Sequence, residues 1–360
     1  MNLLKRLFSS IVTFSIIILI LFASFLWWNN HPPLPYSSNP AIIKIKLNNK
    51  KNQLLKNFIR VASYNIHFGI GYDIKTSEID KSSYIKRLDD IANILSSIDS
   101  DVVLLQEVDF SSARSHFINE AEYLAKKSGY EFVAISPTLR KRIHLNYHSV
   151  IGKIDFGIAI LSKHPIVYNE NVIFNYSSQI PFFMNWLYDP HGAQKCTLDL
   201  NGEMIDIINV HLEPWCTFTR QNQMNKIKYI WLETSSNPLI IGGDFNSMVA
   251  KGLKKIPYHL KDAPWFMDLD SLDYKNDRTI NILKNMKYSE AFPKKLYIKK
   301  KTKYYTFPSK NPKVKIDYIF AGNKARIITG DVFVDAKDAS DHLPIIAEIK
   351  INKKISSVKK

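Results

Sequence analysis

The chain has 360 residues, 46% of them hydrophobic, with a formal net charge of +16. That length holds one large two-layer domain or two ordinary ones, and the apolar content excludes disorder as the main state. The charge is compatible with nucleic acid or an anionic membrane surface as a partner, yet its scattered lysines among asparagine and isoleucine are also what an A/T-rich genome produces, so charge alone excludes little.

Lys5 and Arg6 precede an uncharged stretch, residues 7–28. It is about as long as a helix needs to cross a bilayer core, roughly 20 residues. A secretory signal is the rival reading, but its apolar core is shorter, about 7–15 residues, and ends in a small-x-small cleavage site. Ala23 and Ser24 make a poor version of that site, and Trp27-Trp28 resembles an interfacial belt. The favoured reading is an anchor (or uncleaved signal) at 7–28, with residues 1–6 cytoplasmic. The positive-inside rule then puts the remaining chain outside the cytoplasm, which in a bacterium is the periplasm.

Residues 29–57 include His31-Pro32-Pro33-Leu34-Pro35 and Pro40, a proline density that favours an extended spacer. One domain is expected over 58–350, followed by a basic tail, 351–360. Strands are expected at 60–65, 102–106, 157–162, 195–200, 204–210, 239–242, 316–320 and 344–350. Helices are expected at 83–97, 119–128 and 219–234, the first on the spacing of Ile85, Leu88, Ile91, Ala92 and Leu95. Asn201-Gly202 between two strands is a hairpin signal. The two cysteines, Cys196 and Cys216, could pair in an oxidising compartment or stay reduced in the core; spacing does not decide.

Six short segments end or interrupt the apolar runs: Tyr64-Asn65-Ile66-His67, Leu105-Gln106-Glu107-Val108, Asn209-Val210-His211-Leu212, Gly243-Asp244-Phe245-Asn246, Ile316-Asp317-Tyr318-Ile319 and Ser340-Asp341-His342-Leu343-Pro344. The Asn65 amide could serve a hard cation as a neutral ligand, although an asparagine there is more often a turn residue. Glu107 closes a buried-type run, where a carboxylate needs a cation or a salt-bridge partner. Asp244 and Asn246, two apart after a glycine turn, point to one side if extended. Asp244 could then take a proton from water while Asn246 donates to a charged oxygen, with a capping turn as the plainer reading. Asp317 lies in an apolar strand and needs a donor, for which His342 is the candidate; an acid that orients a histidine is a recurring catalytic device. Singly these signals are weak, but together they supply metal ligands, a base, phosphate donors and an oriented histidine.

With Ser63-Tyr64-Asn65-Ile66-His67-Phe68-Gly69-Ile70-Gly71 and Leu105-Gln106-Glu107-Val108-Asp109, the chain from about residue 60 to 349 resembles the endonuclease/exonuclease/phosphatase superfamily, in particular its bacterial metal-dependent hydrolase branch. The resemblance implies a four-layer αββα sandwich of two mixed β-sheets flanked by helices. It implies Asn65 and Glu107 as ligands for Mg²⁺, with Mn²⁺ as the alternative ion. Asp244 and Asn246 match the acid and amide that handle the nucleophile and phosphoryl oxygens. His211 and His342 match the two histidines, with Asp317 behind the second; Asp341 matches an acid near the metal. Asp155 lies where some relatives place a partner acid for the first histidine, and His191 stands where many bacterial relatives have an arginine. His67 reads as a supporting residue.

The reaction implied is in-line attack of water on a phosphodiester, with either Asp244 or His342 activating the water. Substrate choice lies in loops. The aromatic run at 180–188 and the Pro264-Trp265-Phe266-Met267 cluster suit a bilayer interface, although packing over a sheet edge would produce the same run. With the anchor, they favour a lipid or other membrane-near phosphodiester. A nuclease acting on DNA or RNA, and a non-catalytic binding module on the same fold, are the alternatives. Oligomeric state is not legible in the sequence.

Overall fold

The inward-facing rows of two opposed β-sheets organise this molecule. The computed structural model describes residues 2–30, 40–47, 58–72, 79–145, 150–177, 180, 188–248, 277–292, 301–336 and 338–352. In chain order the elements begin with α1 (Asn2–Asn30), β1 (Ile42–Lys44), β2 (Phe58–Asn65), α2 (Lys81–Ile98), β3 (Val102–Asp109) and α3 (Glu120–Ser128). There follow β4 (Phe132–Leu145), β5 (Val150–Ser162), β6 (Ile166–Ile173), β7 (Gly192–Leu200), β8 (Glu203–His211) and α4 (Thr217–Ile227). The last are β9 (Leu239–Asp244), α5 (Thr279–Asn285), β10 (Ser289–Glu290), β11 (Asp317–Gly322), β12 (Ala325–Val332) and β13 (Ile345–Ile351).

One sheet has seven strands in the order β1-β4-β5-β3-β2-β13-β12, and the other has six in the order β10-β11-β9-β8-β7-β6. Each is mixed, with one parallel pair, β2 with β3 and β8 with β9. Tyr84, Leu88 and Ile91 of α2 and Leu124 of α3 join the core of the seven-stranded sheet. Met224 and Ile227 of α4 and Ile280 and Leu283 of α5 pack on Ile208, Val210, Ile241, Tyr318 and Phe320 of the other. The result is the expected four-layer sandwich. Asp80 caps α2 by accepting from Ser82 N at 2.9 Å and Ser83 N at 3.1 Å, which satisfies two of the helix's otherwise orphaned amides.

The eight expected strands are present, several a few residues longer. Five others were not anticipated: β1, β4, β6, β10 and β12. β1 falls inside the stretch expected as a linker, where Ile42 and Ile43 pair antiparallel with Ala134 and Val133. The expected helix at 219–234 is α4 followed by a π-helical turn, Lys228–Leu232, and α5 was not foreseen. The Asn201-Gly202 turn closes the β7–β8 hairpin, with φ of 57° and 93° at its two residues, the left-handed pair that such a turn requires. Cys196 and Cys216 are both buried and unpaired, in separate apolar clusters. The aromatic run 181–187, the cluster 264–267 and the tail from 353 lie outside the described residues.

Alternation along the strands sets what faces the opposite sheet. On β8, Ile205 and Ile207 join the inter-sheet core, while Ile208 and Val210 pack under α4 and α5; the inward row therefore continues through Asn209 to His211. On β9 the inward positions are Ile240, Gly242 and Asp244, and a Cβ on Gly242 would lie 2.9 Å from Leu104 Cδ1 of the facing sheet. The sheets thus approach too closely there for a larger residue. Gly243, with φ of 142°, faces β8, and a Cβ would lie 2.0 Å from the Val210 carbonyl oxygen.

Among the buried polar bridges between the sheets, one joins β8 to β3 and β5 just below the site. Asn209 Nδ2 donates to the carbonyls of Leu105 at 2.9 Å and Ala159 at 3.0 Å, and Asn209 Oδ1 accepts from Gln106 Nε2 at 2.7 Å. Both side chains are fully buried. Asn209→Leu keeps the volume but strands these partners, so it should lower unfolding free energy by about 3 kcal/mol, read from urea denaturation midpoints at an unchanged m-value.

Candidate active site

The inward rows all end at one edge of the sandwich, and their last residues meet. Asn65 ends β2, His211 ends β8 and Asp244 ends β9, while Asp317 opens the antiparallel β11 directly opposite Asp244. Glu107 needs a further device, because Leu104 and Gln106 face inward on β3 and strict alternation would turn residue 107 away. Between Leu105 and Val108 the pairing with β5 shifts register, and Glu107 has φ of 54°. This bulge turns Glu107 inward. Its Oε1 accepts from Asn65 Nδ2 at 2.9 Å and lies 3.9 Å from His211 Nε2.

Asp244 is the hub. Its Oδ2 accepts from Asn65 Nδ2 at 3.3 Å and lies 3.8 Å from His211 Nε2 and 3.7 Å from His342 Nε2. Its Oδ1 accepts from the Asn246 backbone N–H at 2.9 Å. Asn246 adopts φ of 49° and spends one N–H of its amide on the Leu212 carbonyl at 2.9 Å. His342 Nδ1 and Asp317 Oδ2 are 2.9 Å apart, with the Phe307 ring 4.9 Å from the imidazole. Ser340 Oγ donates to the Asn65 carbonyl at 2.7 Å, fixing the loop that bears Asp341 and His342 to the end of β2.

Burial drives the protonation states in opposite directions. Burial pushes Asp244 up to about 8, although the neighbouring His342 works against that rise. Glu107 is raised for the same first reason, with His67 opposing and Asp341 adding to the shift. His211 is held well below the ordinary imidazole value by burial and by the nearby His191 and His342. Burial alone would also lower His342, but the carboxylates of Asp317 and Asp244 outweigh it and hold His342 well above that value. Near neutral pH one histidine is therefore neutral and the other cationic.

The remaining predicted residues sit at the rim. His191 stacks edge-on against His211 with ring centroids 4.7 Å apart, and its buried Nδ1 has no partner among the described residues. Asp341 Oδ1 lies 3.7 Å from His67 Nδ1. Asp155 is not joined to the first histidine: its carboxylate accepts from Arg140 Nε at 3.0 Å. Gln106 and Asn209, which lie inside two of the motifs, support the site from beneath. An amide at an inward position of an otherwise apolar strand was the signal.

Glu107 and Asn65 fit a hard divalent cation. Both offer oxygen, they meet at the site edge, and burial has left the Glu107 carboxylate wanting a positive partner. Asn65 Oδ1 accepts from His67 N at 3.0 Å while Nδ2 faces Glu107, so the amide would have to turn over, giving up that bond, to offer its oxygen to an ion beside Glu107. Asp244, Asp317 and His342 also bring potential ligand atoms within 4.8 Å of one another. In that trio, however, Asp317 and a cationic His342 already satisfy each other, which makes it a proton-holding group rather than a ligand set.

A sequence model described as the Endonuclease/Exonuclease/phosphatase family matches residues 62–342. No functionally curated protein matches the chain. Among solved structures, an endonuclease/exonuclease/phosphatase from Beutenbergia cavernae DSM 12333 is similar at a TM-score of 0.58 and 18% identity, covering 82% of this chain and 72% of that one. A family protein from Bacteroides thetaiotaomicron gives a TM-score of 0.52 at 14% identity, covering 82% of this chain and 98% of that one. The human Nocturnin catalytic domain with bound sulfate anion gives 0.52 at 18% identity, covering 87% and 97%. At these identities the structures speak for the fold, and the family match over most of the domain speaks for descent. The chain belongs to the endonuclease/exonuclease/phosphatase family.

Proposed function

We propose that this chain is a divalent-metal-dependent phosphodiesterase held at a membrane by α1, with its catalytic domain outside the cytoplasm. The observation that carries the chemistry is the convergence of Asn65, His211 and His342 on one carboxylate oxygen of Asp244, each within 3.8 Å. Within α1, the span Lys5–Asn29 contains an 18-residue stretch of mean hydropathy 2.5, which supports the anchor.

In this reading Glu107 and Asn65 hold the ion, for which Mg²⁺ is the expected species and Mn²⁺ the alternative. Bound there, it would supply polarisation of a phosphoryl oxygen and neutralise charge on the leaving oxygen. Asp244, whose proton affinity is raised to the neutral range, takes the proton of the attacking water. Cationic His342, pinned by Asp317, donates to a phosphoryl oxygen as negative charge builds. Neutral His211 donates a hydrogen bond from Nε2 to the same group, and the second N–H of the Asn246 amide orients the water. As the phosphorus–oxygen bond to the leaving group breaks, the departing oxygen takes a proton from solvent and Asp244 releases the one it accepted. A membrane-borne phosphodiester is the favoured substrate.

Glu107→Ala, Asp244→Ala, His211→Ala and His342→Ala should each lower turnover of a phosphodiester by at least about 10²-fold, with circular dichroism unchanged. EDTA should abolish wild-type activity and Mg²⁺ restore it. Full activity of His342→Ala or indifference to EDTA would defeat the proposal, and preferential cleavage of plasmid DNA, falling steeply with salt, would redirect it to a nuclease.

The His342–Asp317 pair gives a pH test. The folded pKa of His342 is raised, so its stabilising contribution is fully present below its unfolded value of about 6.5 and is lost as pH rises through the folded value. NMR titration of the His342 ring should show proton loss well above 6.5 in the wild type and at lower pH in Asp317→Asn.

A further inference from the structure

Among the described residues, the end of α1 grips β4. Asn29, 5% exposed, brackets a single residue of β4: its Nδ2 donates to the Ile143 carbonyl, and its Oδ1 accepts from Ile143 N–H, both at 2.7 Å. Beside it, Arg142 Nε donates to the Trp28 carbonyl at 3.2 Å, and the guanidinium lies 4.8 Å from the Trp28 ring centre. Upstream, residues 5–24 are exposed throughout. Trp27 and Trp28, 66% and 43% exposed, form an aromatic collar one or two residues before the clamp. With a rise of about 1.5 Å per residue, collar and clamp lie within ~3 Å of each other along the helix. An aromatic collar marks headgroup level.

The clamp lies at the catalytic end. β4 runs antiparallel to β5, and β5 antiparallel to β3, so β4 and β3 point the same way. Pro137 of β4 is level with Gly157, which is level with Val108, the neighbour of Glu107. Ile143 is six residues further along β4. At ~3.3 Å per residue it stands no more than roughly 20 Å beyond the ligand-bearing edge, on the same side. Near this end of β4, His144 Nε2 lies 3.1 Å from Asp189 Oδ1, two residues before His191. The Asn201-Gly202 turn marks the opposite end of the sandwich.

From this geometry we infer that α1 and the β4–β5 hairpin form a bracket that turns the mouth of the site towards the bilayer, so that the enzyme acts in cis on phosphodiesters carried by the headgroups of its own membrane. This rests on the phosphodiesterase reading and on α1 spanning the membrane. The bracket holds substrate and site at a high effective concentration without a dedicated lipid-binding domain.

The test uses the full chain in phosphatidylethanolamine and phosphatidylglycerol vesicles containing a lipid with a headgroup-attached quencher. A fluorophore is placed at the hairpin by Lys153→Cys or at the far turn by Asn201→Cys; both positions are exposed, and native Cys196 and Cys216 are buried. Because the far turn lies ~30 Å further along the strands, quenching at Lys153→Cys should be at least about threefold stronger. Asn29→Ala, which removes both bonds of the clamp, should collapse most of that contrast. It should also slow hydrolysis of a vesicle-borne phosphodiester lipid about tenfold while leaving soluble bis(p-nitrophenyl) phosphate turnover unchanged. Equal quenching at the two positions, release of the chain from vesicles, or equal loss on both substrates would overturn the bracket. Absence of any phosphodiester turnover would defeat the catalytic reading alone, because quenching scores the orientation without activity.

Discussion

Two facing sheets with a two-residue period impose the constraint from which everything else in this domain follows. A strand can present only every second side chain to the opposing sheet. Along β8 those positions run Ile205, Ile207, Asn209 and His211, and along β9 Ile240, Gly242 and Asp244, so the apolar part ends just before the site. Core and site are therefore one row of residues, divided by how near each lies to the open edge. The Asn209–Gln106 bridge sits at that division. It fixes the sheets in register where apolar contacts, which are non-directional, could not.

The site is held in a state the fold itself disfavours. Asp317 Oδ1 is buried without a partner among the described residues, and burial resists ionisation of Asp244 and Glu107. His67, Glu107 and Asn246 all take positive φ, a conformation that costs a non-glycine residue on the order of 1 kcal/mol or more. The large inter-sheet core and the helices on both outer faces offset these costs. Concentrated strain at polar residues along one edge is the pattern expected where stability has been traded for chemistry.

The central strands were legible in the sequence because they are buried on both faces and read as continuous runs, such as Val102 to Leu105 and Leu239 to Ile241. The strands that escaped were mostly peripheral. β6 and β12 are edge strands with many exposed positions, and an edge needs polar residues that break the apolar pattern. β4 carries Pro137 and the run Arg140-Lys141-Arg142, and its pairing with β5 shifts register three times. The site residues were legible because each is a polar group ending an apolar run. Their mutual distances were not, and Asp155 shows why: a carboxylate beside a strand identifies no partner until the neighbouring strand supplies Arg140. The contact of Asn29 with Ile143 joins residues 114 apart, beyond the reach of any local pattern.

The bulge at Glu107 separates two properties usually thought inseparable, being a good strand and being a useful one. Were the same residues to pair with β5 in unbroken register, β3 would make a more regular sheet. The same sequence of side chains would then direct its carboxylate away from the opposing sheet. Whether Glu107 reaches Asn65 is thus a matter of counting as much as of chemistry. A chain with these same residues and no bulge would look complete on paper and present no carboxylate to Asn65.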